Sequence, residues 1–511
     1  MSTGAADLAV YDAFYRSVAE EMGAALERAA TSVNIKERRD LSCAVFDAQG
    51  NLIAQAAHIP VHLGAMPLSV RAVLERRPPG PGDVVLLNDP WAGGTHLPDL
   101  TAVAHAGDFI VANRAHHADV GGVAPGSLGL ATDIHGEGLR IPPVRIVKAG
   151  VLDEDLLDLF CANVRSPRAG REDLVAQVAT LKRGIARLEE RMAQDGRETL
   201  LRAAGDLRAA ARKAAVEVLR SLPQGTGRMQ DAMDGGFTLC ATLQVRDDKL
   251  VVDFEGTHEQ VDAPINCNLA VTWSAVSYVL ALLLPAETPL NEGVRDVLDV
   301  RAPEGSLVNA RYPAAVAGGN VETSQRIVDV VLGALSELAP GLIPAASQGT
   351  MNNVTVGGRG FTYYETIAGG AGGGPAGPGA SALHTHMTNT RNTPIEALEN
   401  ETPLRVRTLL VARGSGGAGR HAGGDGIVRE IEFTEPCVAH LLSDRREQGP
   451  YGLQGGARGR PGRNTLIRDG EESPLGGRAR LVAQPGDRLR IETPGGGGWG
   501  AVEPAAGSGR S

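Results

Sequence analysis

The spacing of apolar residues changes several times along this chain, and each change marks a different element. The opening segment, "MSTGAADLAVYDAFYRSVAEEMGAAL", sets apolar and charged residues on opposite faces and predicts an amphipathic helix. It lacks the basic and apolar regions of an export signal, so no export is expected. "LSCAVFDAQGNLIAQ" then alternates around an Asp-Ala-Gln-Gly-Asn turn, which predicts a hairpin over residues 41–55 with Asp40 at its entrance. A short apolar strand at 84–87 runs into the polar loop "NDPWAGGTHLPD", and "DFIVANRAHHADVGG" repeats the order of strand then polar loop.

From Arg171 the period becomes helical: Leu174, Val178, Leu181, Ile185, Leu188 and Met192 recur at spacings of four and three. Asp195-Gly196 interrupts the pattern, and an Ala-rich face resumes over 197–219, predicting an antiparallel helical hairpin. "FTLCATLQVRDDKLVVDFEGT" alternates like paired strands. The apolar run "AVTWSAVSYVLALLLPA" is closed by Pro285 before the roughly 20 residues a membrane span needs, so a buried core helix is expected there, with another at 324–339. From Ala368 onward, runs such as "AGGAGGGPAGPGA" and "TPGGGGWG" separate short β-type stretches, "GIVREIEF" and "RLRIE" among them. The expected fold is therefore multidomain α+β: an N-terminal α/β metal-site region (1–150), a helical hairpin (151–225), a mixed α/β region (226–345) and a glycine-rich, largely β C-terminal region (346–511).

Composition sharpens this picture. At 511 residues the chain exceeds one ordinary core, and its 66 glycines are about twice the usual share, which implies close backbone packing and many loops. A net charge of −10 without a Lys/Arg cluster gives no footprint for nucleic acid or an anionic membrane. The five cysteines are scattered and lack C-x-x-C spacing, as expected of reduced, mostly buried thiols in a cytoplasmic protein.

The chemistry concentrates in two His-x-x-Asp pairs, His96/Asp99 and His116/Asp119. Imidazole with carboxylate suits a divalent first-row metal, and loops at the ends of adjacent strands can turn three or four such groups toward one centre. Polar surface is the plain alternative for either pair alone. G-x-x-x-x-G-K-[ST], H-E-x-x-H and G-x-S-x-G do not occur, so the expected chemistry is not that of a P-loop, zincin or standard serine-hydrolase site.

The strings "NIKERRDLSCAVFDAQGNLIAQAAHIPVHLGAMP", "NDPWAGGTHLPDLTAV", "HHADVGGVAPGS", "EGLRIPPVRI", "NVRSPRAGREDLVAQVA", "THMTNTRNTP", "GSGGAGRHAGGDGIVREIEF" and "ETPGGGGWG" resemble, in order, the successive blocks of the hydantoinase B/oxoprolinase family. The resemblance implies the metal-bearing B half of an ATP-dependent cyclic amidohydrolase in a hetero-oligomer. A hydantoinase A-type partner would use ATP to phosphorylate the oxygen of a hydantoin, 5-oxoproline or lactam. Carried over motif by motif, the ligands of one divalent ion (Zn, Mn or Fe) would be Asp40, His96, Asp99 and His116. His117 and Asp119 would then support the ligands or face substrate, although Asp119 equally suits capping the amides near Gly121 and Gly122. Glu137 in "DIHGEG" is the candidate for proton transfer, with a structural turn carboxylate as its alternative; the neighbouring His135 has no counterpart in the resemblance. His58 and His62 could reach the same cavity but read better as satisfied, partly buried histidines, and His384 and His386 suit one face of a strand. Two other outcomes fit the same resemblance: a subunit of an ATP-dependent ketone carboxylase, and a non-catalytic assembly subunit.

Overall fold

The computed structural model describes residues 4–57 and 59–502. His58 lies outside the described residues.

Seven strands make the first sheet: β1 (Leu41–Asp47), β2 (Leu52–Ala57), β3 (Val84–Leu87), β4 (Asp99–Ala106), β5 (Phe109–His116), β6 (Val144–Lys148) and β7 (Val151–Leu152). Every pair is antiparallel and the order is β2-β1-β5-β4-β3-β6-β7. The central strands are apolar on both faces because helices cover both. On one face lie α1 (Ala5–Ala29) and two helices described below; on the other lies α2 (His62–Arg76). The period of two assigns the residues: Cys43, Val45, Val111 and Ala115 pack toward α1, whereas Ala44, Phe46, Ile110 and Ala112 pack toward α2. Each buried Val, Leu, Ile or Phe here contributes roughly 1.5–3 kcal/mol, so a one-residue slip would be prohibitive.

The helical period from Arg171 forms α3 (Pro167–Asp195), which ends at Gly196 with φ of 86°, and α4 (Arg197–Ser221) follows at once. These helices share a core with the first sheet. The first half of α4, Leu200 to Leu207, packs with β1–β6, and its second half, Ala211 to Leu219, enters the next core.

That next core surrounds a four-stranded sheet of Gly225–Met233, Phe237–Arg246, Lys249–Asp253 and Leu298–Arg301. Two helices pack within it, α5 (Leu269–Leu283) and α6 (Ser324–Leu338). The apolar run closed by Pro285 is thus a core helix, and no helix among the described residues is long and apolar enough to cross a membrane.

The last third holds two antiparallel sheets, of four and five strands, between residues 353 and 492. Between their strands the glycine runs lie backbone against backbone. Gly370 N donates to Pro494 O at 3.0 Å, Gly424 N to Ala371 O at 2.8 Å and Gly496 N to Gly424 O at 2.9 Å. A Cβ on Gly370 would stand 2.0 Å from Gly424 O, and one on Gly496 would stand 2.0 Å from Ala371 O. Neither residue has positive φ, so glycine is needed there for the approach of chains rather than for backbone freedom.

Candidate metal centre

Register brings the candidate ligands together. Asp99 opens β4 and His116 closes β5, and the two are direct partners across the ladder. Asp40 immediately precedes β1, the other neighbour of β5, and its carbonyl accepts the His116 N–H at 3.0 Å. The loop that delivers His96 is braced by Asn88, whose Nδ2 donates to Leu97 O at 2.8 Å and to Leu139 O at 2.9 Å. Asn268, at the start of α5, donates to Thr95 O and ties that loop to the second core.

Three donor atoms then converge. Asp99 Oδ1 lies 3.1 Å from His96 Nε2 and 3.2 Å from His116 Nδ1, and the two ring nitrogens are 3.2 Å apart. All three residues are buried and could hold one metal ion. Two nitrogens and one carboxylate oxygen pointing at a single spot are the donor set that zinc, manganese or iron accepts. Burial raises the Asp99 carboxyl, but His96, His116 and His62 outweigh it and hold the group well below the ordinary carboxylate range. Burial in turn lowers His116, which favours the neutral ring that a metal requires.

The other Asp99 oxygen is taken. Oδ2 accepts from Thr95 Oγ1 at 2.5 Å and lies 3.3 Å from His62 Nε2, whose Nδ1 meets Ser42 Oγ at 2.9 Å. His62, which reads in sequence as a satisfied, partly buried histidine, is buried with both ring nitrogens paired, and it opens α2 beside the cluster. Its signal, a His on a loop in "HIPVHLG", is indistinguishable in sequence from a structural one. Asp40 Oδ2 stands 3.9 Å from His116 Nδ1, at the edge of the set. The His116 ring stacks on Tyr364, centroids 5.0 Å apart, and the Arg38 guanidinium lies over the Tyr364 ring, 4.5 Å from its centroid. Nothing in the local sequence pointed to Tyr364, which sits some 250 residues away.

The remaining sequence candidates lie elsewhere. Because side chains alternate, His117 faces opposite to His116 and bonds Gln177 Oε1 on α3 at 2.8 Å. Asp119 accepts from the amides of Gly121, Gly126 and Arg165 at 2.9–3.1 Å and pairs with the Arg165 guanidinium, so it caps and braces the loop. Glu137 is buried and its Oε1 accepts Ala317 N at 2.8 Å; burial pushes its carboxyl up to about 8. Neither Glu137 nor Asp119 lines the cavity beside the cluster. His135 is exposed and bonds Tyr312. His384 lies in an irregular segment and His386 opens a turn with φ of 55°, so the two are not on a strand and do not share a face as i and i+2 would.

That cavity has about 20 Å³, room for one water-sized occupant. The N-terminal sheet supplies Asp40, His96, Asp99 and His116; the C-terminal half supplies Asn320, Met351, Tyr364 and Thr388. The scaffold is α+β, and the buried two-His, one-Asp cluster at the end of its first sheet is a group that could hold a metal ion.

Comparison with known proteins gives the family. The sequence profile described as hydantoinase B/oxoprolinase matches residues 5–502, and the chain belongs to that family. It is 41% identical over 498 residues to an uncharacterised protein of Methanocaldococcus jannaschii, covering 95% of this chain and 88% of that one. It is 40% identical over 531 residues to 5-oxoprolinase 1 of Arabidopsis thaliana, covering 97% of this chain but only 42% of the plant protein. Among solved structures, the ATP-dependent caprolactamase from Pseudomonas jessenii superimposes with a TM-score of 0.91 at 27% identity, over 98% of this chain and 92% of that one.

Proposed function

We propose that this chain is the metal-bearing hydrolytic subunit of an ATP-dependent cyclic amidohydrolase of the hydantoinase/5-oxoprolinase type. The observation that carries the reading is the convergence of His96 Nε2, Asp99 Oδ1 and His116 Nδ1 within 3.2 Å of one another beside a small cavity. Its relatives support the substrate class, since a 5-oxoprolinase and a caprolactamase both act on ring amides by name. The plant relative is more than twice as long as the matched region, which leaves room there for a second, activating unit. That unit is a hydantoinase A-type partner, and it would phosphorylate the amide oxygen at the expense of ATP.

His96, Asp99 and His116 would hold a divalent ion, with Asp40 completing the set. When bound, such an ion supplies Lewis acidity and lowers the pKa of water. The chain's own residues do the rest. Thr95 and His62 occupy Asp99 Oδ2 and leave Oδ1 as the single inward donor. Tyr364 and the Asp40 carbonyl fix the plane and position of His116. Burial of His96, Asp99 and His116 removes bulk water from around the three donor atoms and strengthens their interactions.

The test is to purify the chain with its partner, measure bound metal, and assay hydantoins, 5-oxoproline and lactams for ATP-dependent loss. Asp99→Ala and His116→Ala should each remove the bound equivalent of metal and lower turnover by about 100-fold or more. Undiminished turnover in either variant overturns the reading, as does incorporation of labelled bicarbonate into a ketone.

A further inference from the structure

The cavity beside the metal cluster is too small for a ring amide. It takes one water-sized group, about 20 Å³, and none of the residues that line it is more than 6% exposed. A ring therefore reaches Asp99 and His116 only when part of the wall moves aside.

Most of that wall is clamped. Asp99 and His116 are partners in the first sheet, and Tyr364 lies in the strand Phe361–Glu365, which pairs with Asn353–Gly358. Ile59 and Val61 lead into α2, where a Cβ on Gly64 would lie 2.6 Å from Ser274 Cα on α5. Asn320 and Val321 belong to a π-helical turn, Gly319–Thr323, where a Cβ on Gly319 would lie 1.9 Å from Asn266 O. Backbones pressed this closely cannot shift without disturbing the core around them.

The segment Met387–Thr390 is built differently. It has no regular secondary structure; Met387, Thr388 and Thr390 line the cavity, whereas Asn389 and Arg391 are exposed. Residues that alternate between cavity and solvent leave a single thickness of chain between the two. The segment is anchored on both sides. Leu383 N donates to Gly369 O at 2.8 Å and Gln325 Nε2 to Thr385 O at 3.0 Å; Arg391 N donates to Arg38 O at 3.2 Å and Thr393 N to Glu365 Oε1 at 3.0 Å. Between these anchors, Thr390 Oγ1 meets Thr366 Oγ1 across the wall at 2.6 Å. The contacts of His386 with Tyr278 and of the Thr388 amide with Thr385 O, at 3.5 and 3.4 Å, are long and weak.

We infer that Met387–Thr390 is a strap that swings outward to open the metal cluster, and that the Thr366–Thr390 hydroxyl pair is its latch. The identity of what enters, a ring amide, rests on the amidohydrolase reading; the motion does not. Opening leaves few groups unsatisfied. Thr366 Oγ1 keeps Arg38 Nη2 as a donor at 3.3 Å, and Thr390 exchanges its partner for water. Met387, fully buried in the closed form, favours return of the strap to the wall. An ion held by the cluster leaves through the same opening.

The experiment uses the partnered enzyme loaded with zinc and reads the rate at which a chelator removes the ion, alongside turnover. Thr366→Cys combined with Thr390→Cys puts sulfurs where the two oxygens now meet, within reach of a disulfide bond of about 2.05 Å. Oxidation should slow zinc release and turnover by about 10-fold or more relative to the same variant reduced, and dithiothreitol should restore both. Thr390→Val, which lacks the latch, should release zinc about 3–10-fold faster than wild type with the same zinc content. It decides the matter alone if the cysteine pair does not fold or mass spectrometry shows no bridge. Equal zinc release from the bridged and reduced forms, or release from Thr390→Val no faster than from wild type, would overturn the strap. An enzyme that gates zinc in this way but consumes no ring amide removes the amidohydrolase reading and leaves the strap standing; a chain that holds no zinc removes both.

Discussion

Replacing Glu137 by Gln removes one buried ionisable group while keeping an oxygen for the Ala317 amide, 2.8 Å away. Burial is the main cause that lifts this carboxyl from its ordinary 4.5 to about 8, against smaller opposing pulls from the amides of Ala317 and Val316. The folded state therefore holds a proton that the unfolded chain has already released. The stabilisation from the protonated group is complete below pH 4.5 and is lost as pH rises through about 8. A gap of about 3.5 pH units at about 1.4 kcal/mol each amounts to roughly 5 kcal/mol. Urea unfolding of wild type and Glu137→Gln at pH 5, 6, 7 and 8 reads this directly. Wild type should lose about 1.4 kcal/mol per pH unit that the variant keeps. Glu322, also raised to about 8 chiefly by burial, is present in both proteins and cancels in the difference. Parallel stability curves would show that Glu137 ionises normally and refute the reasoning. The variant should also retain turnover, since the side chain lies off the cavity; its loss with stability intact would restore Glu137 to proton transfer.

His62→Ala should weaken metal binding by about 10–100-fold in a chelator competition, because it frees Asp99 Oδ2 to rotate inward; unchanged affinity would remove its orienting role. Gly496→Ala should abolish soluble folded protein, because the new Cβ would meet Ala371 O at 2.0 Å, whereas Gly377→Ala, with nothing within 4 Å, should unfold within about 0.5 kcal/mol of wild type. Equal behaviour of the two glycine variants would contradict the packing of the glycine runs.

The elements nearest the site were largely legible. Alternation marked β1 and β2, short apolar runs leading into polar loops marked β3 and β5, and a spacing of four and three marked α3, since these patterns are set by which faces of each element are buried. Three of the four residues carried over as ligands, His96, Asp99 and His116, also converge, and all three belong to the two His-x-x-Asp pairs that stand out in the sequence. Other features were not legible for identifiable reasons. His116 and His117 are adjacent and chemically identical, and only the packing of α2 and α3 on opposite faces decides which one enters the cavity. Asp99 and Asp119 have the same spacing from a histidine, yet one begins a strand that pairs with β5 and the other closes a loop onto Arg165.

By itself, then, the sequence determined the local order of this protein: where strands and helices run, that glycine must fill the close approaches, and which residues can bind a metal, because these follow from side-chain chemistry and period. The tertiary structure alone decided how those residues are used. Strand register set Asp99 opposite His116, and the chain's return brought Asn320, Tyr364 and Thr388 over them. Contacts between residues some 200 to 300 positions apart leave no periodic trace, since each depends on the summed packing of every element in between.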